Sequence, residues 1–93
     1  MHVKVKFHYP HLKVLVNNQD SVEVHGKTVG ECLHNLVALF PDIQTRIFDN
    51  NMKLLHFIVI FLNGESTYHE PDPLATPVKD GDELSIVLLI AGG

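Results

Sequence analysis

The chain has a single cysteine, Cys32, among its 93 residues. No internal disulfide can form, and a reducing cytoplasm is the simplest compartment for it. Long apolar runs are missing too. "FIVIFL" and "IVLLIA" fall far short of the roughly 20 residues that cross a bilayer. "MHVKVKF" alternates polar and apolar positions, so no signal peptide is expected at the front. Positive charge is scarce: 7 Lys and Arg stand against 11 Asp and Glu, a net charge of −4. A surface of that sign does not attract nucleic acid or anionic membranes. There is no repeat, low-complexity tract or linker. The expectation is one domain, 1–93, long enough to build a modest core without staples.

What is present reads as alternating strands around one helix. His2 to His8 puts Val3, Val5 and Phe7 on one face, as a half-buried strand does. Pro10 interrupts, and "NNQD" reads as a turn. The "LKVLV" between them fits either further strand pairing or a packed loop. "SVEVH" is a short strand with Val22 and Val24 inward. Thr28 and Glu31 form a capping box. Val29, Cys32, Leu33, Leu36, Val37 and Phe40 then recur at helical spacing, until Pro41 ends the element. Ile43, Ile47 and Phe48 suggest one more helical turn. His56 to Leu62 is apolar on both faces and reads as a central strand. Asn63-Gly64 is a hairpin turn, "STYH" a short return strand, and "EPDPLATPV" a loop. Leu84, Ile86, Leu88 and Ile90 alternate as the last strand. The class is α+β, a small mixed sheet with one main helix packed across one face.

Catalytic constellations are largely absent. There is no glycine-rich phosphate loop. The histidines are scattered, and the nearest pair, His8 and His11, lacks the further ligands a metal site needs, so no metal is expected. Asp80, Asp82 and Glu83 read as a solvated turn, with nothing to desolvate them. Cys32 lies on the apolar helix stripe, which suits a small core residue and not a reactive thiol, since that requires exposure and positive neighbours.

The remaining feature is the end of the chain. By average usage, two terminal glycines arise by chance in about 0.5% of chains. The hydrophobic strand here stops directly in Gly92 and Gly93, without the polar trailer of a fraying terminus. The reactive group of this tail is the α-carboxylate of Gly93, ionised at neutral pH with a pKa of about 3.5, and a poor electrophile until activated. Lacking Cβ atoms, Gly92 and Gly93 can thread a narrow channel. At about 3.3 Å per residue, Leu89 to Gly93 would reach roughly 16 Å. With no nucleotide site in the chain, activation calls for a partner that supplies ATP chemistry.

"LATPVKDGDELSIVLLIAGG" resembles the C-terminal signature of the sulfur-carrier proteins of the ubiquitin-like β-grasp fold, and "KLLHFIVIFLNGE" resembles the strand and hairpin before it in the longer members. That family includes the small subunit of molybdopterin synthase and the carriers for thiamin and cysteine biosynthesis. The resemblance covers nearly the whole chain and implies a non-enzyme. An adenylating enzyme of the ubiquitin-activating type, using its own ATP and magnesium, would adenylate Gly93 while Gly92 threads the channel. Sulfur would then convert the adenylate to a thiocarboxylate for a sulfur-accepting biosynthetic enzyme. No cofactor would be bound by this chain. Where many relatives carry proline or an aromatic residue, this chain has Leu88, Leu89 and Ile90. Its longer segment between helix and third strand favours the cysteine-type or long molybdopterin-type carriers. The same chemistry would also serve a protein modifier joined through Gly93 to lysines, while an inert tail would leave a non-covalent ubiquitin-like interaction domain.

Because the helix covers one sheet face only, residues of opposite parity on the last strand must face away from it. Val87 and Leu89 are the expected exposed pair, joined by residues of His56 to Leu62 as an apolar docking patch, with the reversed parity as the alternative. Ile90 and Ala91 complete the expected partner-binding stretch.

Overall fold

A computed structural model describes residues 1–89. Its strands are β1 (His2–Phe7), β2 (Ser21–His25), β3 (Ile58–Leu62), β4 (Glu65–Ser66) and β5 (Glu83–Leu88), and its α-helices are α1 (Pro10–Lys13), α2 (Val29–Leu39) and α3 (Gln44–Ile47). They form a five-stranded mixed sheet in the order β2-β1-β5-β3-β4. β1 pairs antiparallel with β2 and parallel with β5, and β5 pairs antiparallel with β3. This is the β-grasp arrangement.

Register follows the hydrophobic alternation, because a one-residue slip would turn every buried side chain to water. Val3 lies opposite Val24, Val5 opposite Val22 and Leu84, Phe7 opposite Ile86, and Ile86 opposite Ile60. All eight are buried and share one cluster with Val29, Cys32, Leu33 and Leu36 of α2. Val37 and Phe40 pack at its margin.

The cap of α2 forms, with a small shift. Glu31 N–H donates to Thr28 Oγ1 at 3.1 Å, but Glu31 Oε1 accepts from Lys27 N–H at 3.2 Å, one residue before the N-cap. Phe40 leaves helical geometry at φ −133°, ψ 80°, immediately before Pro41. β2 comes so close to α2 that a Cβ on Gly26 would sit 2.7 Å from both Cys32 N and Cys32 Sγ.

Several expectations need correction. "LKVLV" is neither strand nor loop. Pro10 starts the short helix α1 after extended Tyr9, and Val14–Val16 follow as a 3₁₀ turn. Leu12 and Val16 are thereby buried, while Val14 points to solvent. The third strand begins at Ile58, not His56, and is not central: it lies between β5 and the two-residue β4, and β5 holds the middle of the sheet. The return strand is Glu65–Ser66 alone. Asn63 and Gly64 both adopt positive φ, 51° and 85°, as a type I′ hairpin requires. Ile90, proposed as the end of the last strand, lies outside the described residues.

Candidate functional site

β5 lies between β1 and β3, so its C-terminal end has a neighbour on each edge. The parallel ladder with β1 stops at Phe7 and Ile86. Beyond it, Leu88 N–H donates to the Tyr9 hydroxyl at 3.1 Å. On the other edge, Leu89 N–H donates to the Phe57 carbonyl at 2.8 Å, continuing the register in which Ile58 faces Leu88. Two consecutive amides are thus held from opposite sides at the last described positions. Ala91, Gly92 and Gly93 lie outside the described residues with Ile90.

A cleft of about 280 Å³ opens at this root, lined by His11, Leu12, Thr45, Arg46, Leu55, Phe57, Leu88 and Leu89. Its described lining carries Arg46 and His11 and no carboxylate, although the chain as a whole is acidic.

The sheet face turned from α2 carries the opposite parity. Val59 pairs with Val87 and Phe61 with Ser85. Leu89 is 50% exposed and Phe57 37%. Val87 is half-buried. Val59 is only 4% exposed yet stands outside the core cluster, beside Val87 on the outer face. Toward β1 the face becomes polar and charge-paired. Lys6 pairs with Glu83 at 3.2 Å, and His8 Nε2 lies 3.1 Å from Ser85 Oγ. The geometry is an apolar strip over β3 and β5 beside a polar, charge-paired margin on β1.

Cys32 is fully buried on α2. Burial, and then the Glu31 carboxylate, push its thiol above the usual range. A neutral, enclosed thiol is a packing residue. Among the described residues no cluster of three or more His, Cys, Asp or Glu side chains could hold a metal, and no helix is long and apolar enough to cross a membrane.

Sequence reasoning missed the Tyr9 contact and the cationic lining of the cleft. Neither leaves a local signal. Tyr9 and Leu88 are 79 positions apart, and His11 and Arg46 come together only through α1 and α3.

The sequence profile of the ThiS family matches residues 11–93. The chain belongs to that family. It is 33% identical over 84 residues to the sulfur carrier protein CysO of Mycobacterium tuberculosis, covering 88% of this chain and 89% of the relative. It is also 33% identical over 73 residues to small archaeal modifier protein 1 of Haloferax volcanii, covering 77% and 78%. Its fold superposes on a chain of the BexX/CysO complex of Amycolatopsis orientalis with a TM-score of 0.84 and 32% identity, over 98% of this chain and 99% of the other. The chain is a ubiquitin-like sulfur carrier, a substrate for other proteins and not an enzyme.

Proposed function

We propose that the sulfur travels on the Gly93 carbonyl. A carboxylate oxygen of Gly93 attacks the α-phosphate of ATP held with magnesium by an adenylating partner of the ubiquitin-activating type. The O–P bond forms and pyrophosphate leaves. A hydrosulfide sulfur then attacks the acyl-adenylate carbonyl, the C–S bond forms and AMP leaves with the C–O bond's electrons. A partner persulfide would do the same, a second thiol then releasing the thiocarboxylate by forming a disulfide on the partner. The charged chain delivers its sulfur to an acceptor enzyme in cofactor or cysteine biosynthesis, in the cytoplasm. This chain contributes no cofactor to any of these steps.

The observation that carries the reading is the family match running through residue 93, directly beyond a strand end held on both edges. The outer sheet face supplies the docking surface, with Val87, Leu89, Ile90 and Ala91 guiding the tail and Gly92 threading it. The archaeal modifier relative favours a second reading, in which the same adenylate ends on a lysine of another protein. Intact mass of the chain purified from its own cell separates the two. One oxygen exchanged for sulfur is expected of the carrier. A ladder of heavier conjugates, without thiocarboxylate, would replace it with the modifier.

A further inference from the structure

β1 gives up its pairing with β5 two residues before β5 ends. The parallel register runs from Lys4 opposite Glu83 to Phe7 opposite Ile86, and the chain then turns into α1 at Pro10, which has no N–H of its own. Leu88 is partly buried against the core, so its amide needs a partner, and an unpaired one would be costly. The main chain of β1 no longer supplies it. The Tyr9 hydroxyl does, at 3.1 Å, from a ring that is itself packed on the core.

We propose that Tyr9 is a positioning residue for the charging of this carrier: its hydroxyl replaces the missing β1 acceptor and holds the Leu88 amide, so that the tail leaves the sheet from a fixed root. The inference rests on Gly93 being the group that is adenylated. With Leu89 N–H held by the Phe57 carbonyl at 2.8 Å, Leu88 has the peptide groups on either side of its Cα tied, one to each edge. Its conformational freedom is then removed during folding and not when the partner enzyme captures the tail. Ordering one backbone residue corresponds to about 5- to 30-fold in an equilibrium constant. A loosened root should therefore weaken capture. Once the tail is threaded, the reacting atoms are the same, and the chemical step should be unaffected.

Tyr9→Phe keeps the packed ring and removes only the acceptor. Native-state hydrogen exchange is expected to show the Leu88 amide opening at least tenfold more often, with core amides such as Ile86 unchanged. ATP–pyrophosphate exchange with an activating enzyme that charges the wild type is expected to show KM raised about 5- to 30-fold with kcat preserved. A structural role alone would lower core protection together with Leu88 and would leave KM for the folded protein where it was. Unchanged Leu88 exchange overturns the clamp, and increased Leu88 exchange with an unchanged KM overturns the positioning role. If the wild type is not adenylated by any such enzyme, the Gly93 reading falls and takes the positioning role with it. If the wild type is charged and Tyr9→Phe behaves identically, Tyr9 alone is wrong.

Discussion

The side-chain amide of Asn63 donates to Asp82 Oδ1 at 3.0 Å, joining the β3–β4 hairpin to the turn that feeds β5. Asn63 Oδ1 in turn accepts from Glu83 N–H at 2.9 Å, and Asp82 Oδ2 accepts from Lys79 N–H at 2.7 Å. The Asn63 bond first, and then the Lys79 amide, hold the Asp82 carboxyl below its ordinary value of 3.8. A depressed carboxyl pKa stabilises the fold at pH values above 3.8, and that contribution is lost as pH falls from there through the folded-state value. Asp82→Ala is therefore expected to lower the urea midpoint at pH 7, with the difference from wild type shrinking below about pH 4. Because the carboxylate is largely solvated, the effect should stay near or below about 1 kcal/mol. A deficit that persists undiminished in acid would assign the loss to packing.

Cys32 is expected to resist thiol reagents in the native protein and to react at once in denaturant, because its thiol is enclosed and held neutral. Cys32→Ser should cost on the order of 1–3 kcal/mol, the penalty of a buried hydroxyl without a partner. The folded fraction should still be charged with sulfur. Loss of charging in folded Cys32→Ser would make the cysteine part of the chemistry.

Gly26→Ala drives a methyl group to 2.7 Å from Cys32 N and Sγ. Overpacking of this kind costs about 1–3 kcal/mol. Adding Cys32→Ala removes the sulfur clash but leaves the backbone one, so the double variant should recover only part of the loss in a thermal melt. Full recovery would show that β2 and α2 can separate at no cost.

On the outer face, Leu89→Asp places a charge at a half-exposed side chain and should leave the melting temperature within a few degrees of wild type. Its affinity for the activating or sulfur-accepting partner should fall at least tenfold, an effect of order 1.4 kcal/mol. Calorimetric titration reads this directly. Wild-type affinity would move the docking surface off the β3–β5 strip.

Deleting Gly93 is expected to abolish ATP–pyrophosphate exchange. Gly93→Ala should lower it by about 10²-fold, the scale of misplacing reacting groups by about 1 Å. Gly92→Ala should be intermediate, and melting should be unchanged in all three. Undiminished exchange without Gly93 would remove the diglycine from the reaction.

The parts of this protein that arise from short-range rules were legible in its residues. Alternation places Val3, Val5 and Phe7, then Val22 and Val24, then Leu84 and Ile86 inward, and these same residues set the register of three strands. Thr28, Glu31 and Pro41 mark the ends of the main helix, and Asn63-Gly64 marks the hairpin, because each acts on backbone geometry within a few positions. Where several solutions bury the same side chains, the residues alone do not choose. "LKVLV" buries Leu12 and Val16 as a helical turn, where strand or loop would have served the same pattern. His56 to Leu62 looked central because it is apolar on both faces. The middle of the sheet nevertheless went to β5, whose parity leaves Ser85 and Val87 on the outer face. The role proposed for the diglycine rests on the residues alone, because that chemistry would need only an accessible backbone carboxylate. The strand end before it was not legible, because the hydroxyl of Tyr9 meets the amide of Leu88 only after β1 has paired beside β5 and Pro10 has turned the chain across its end.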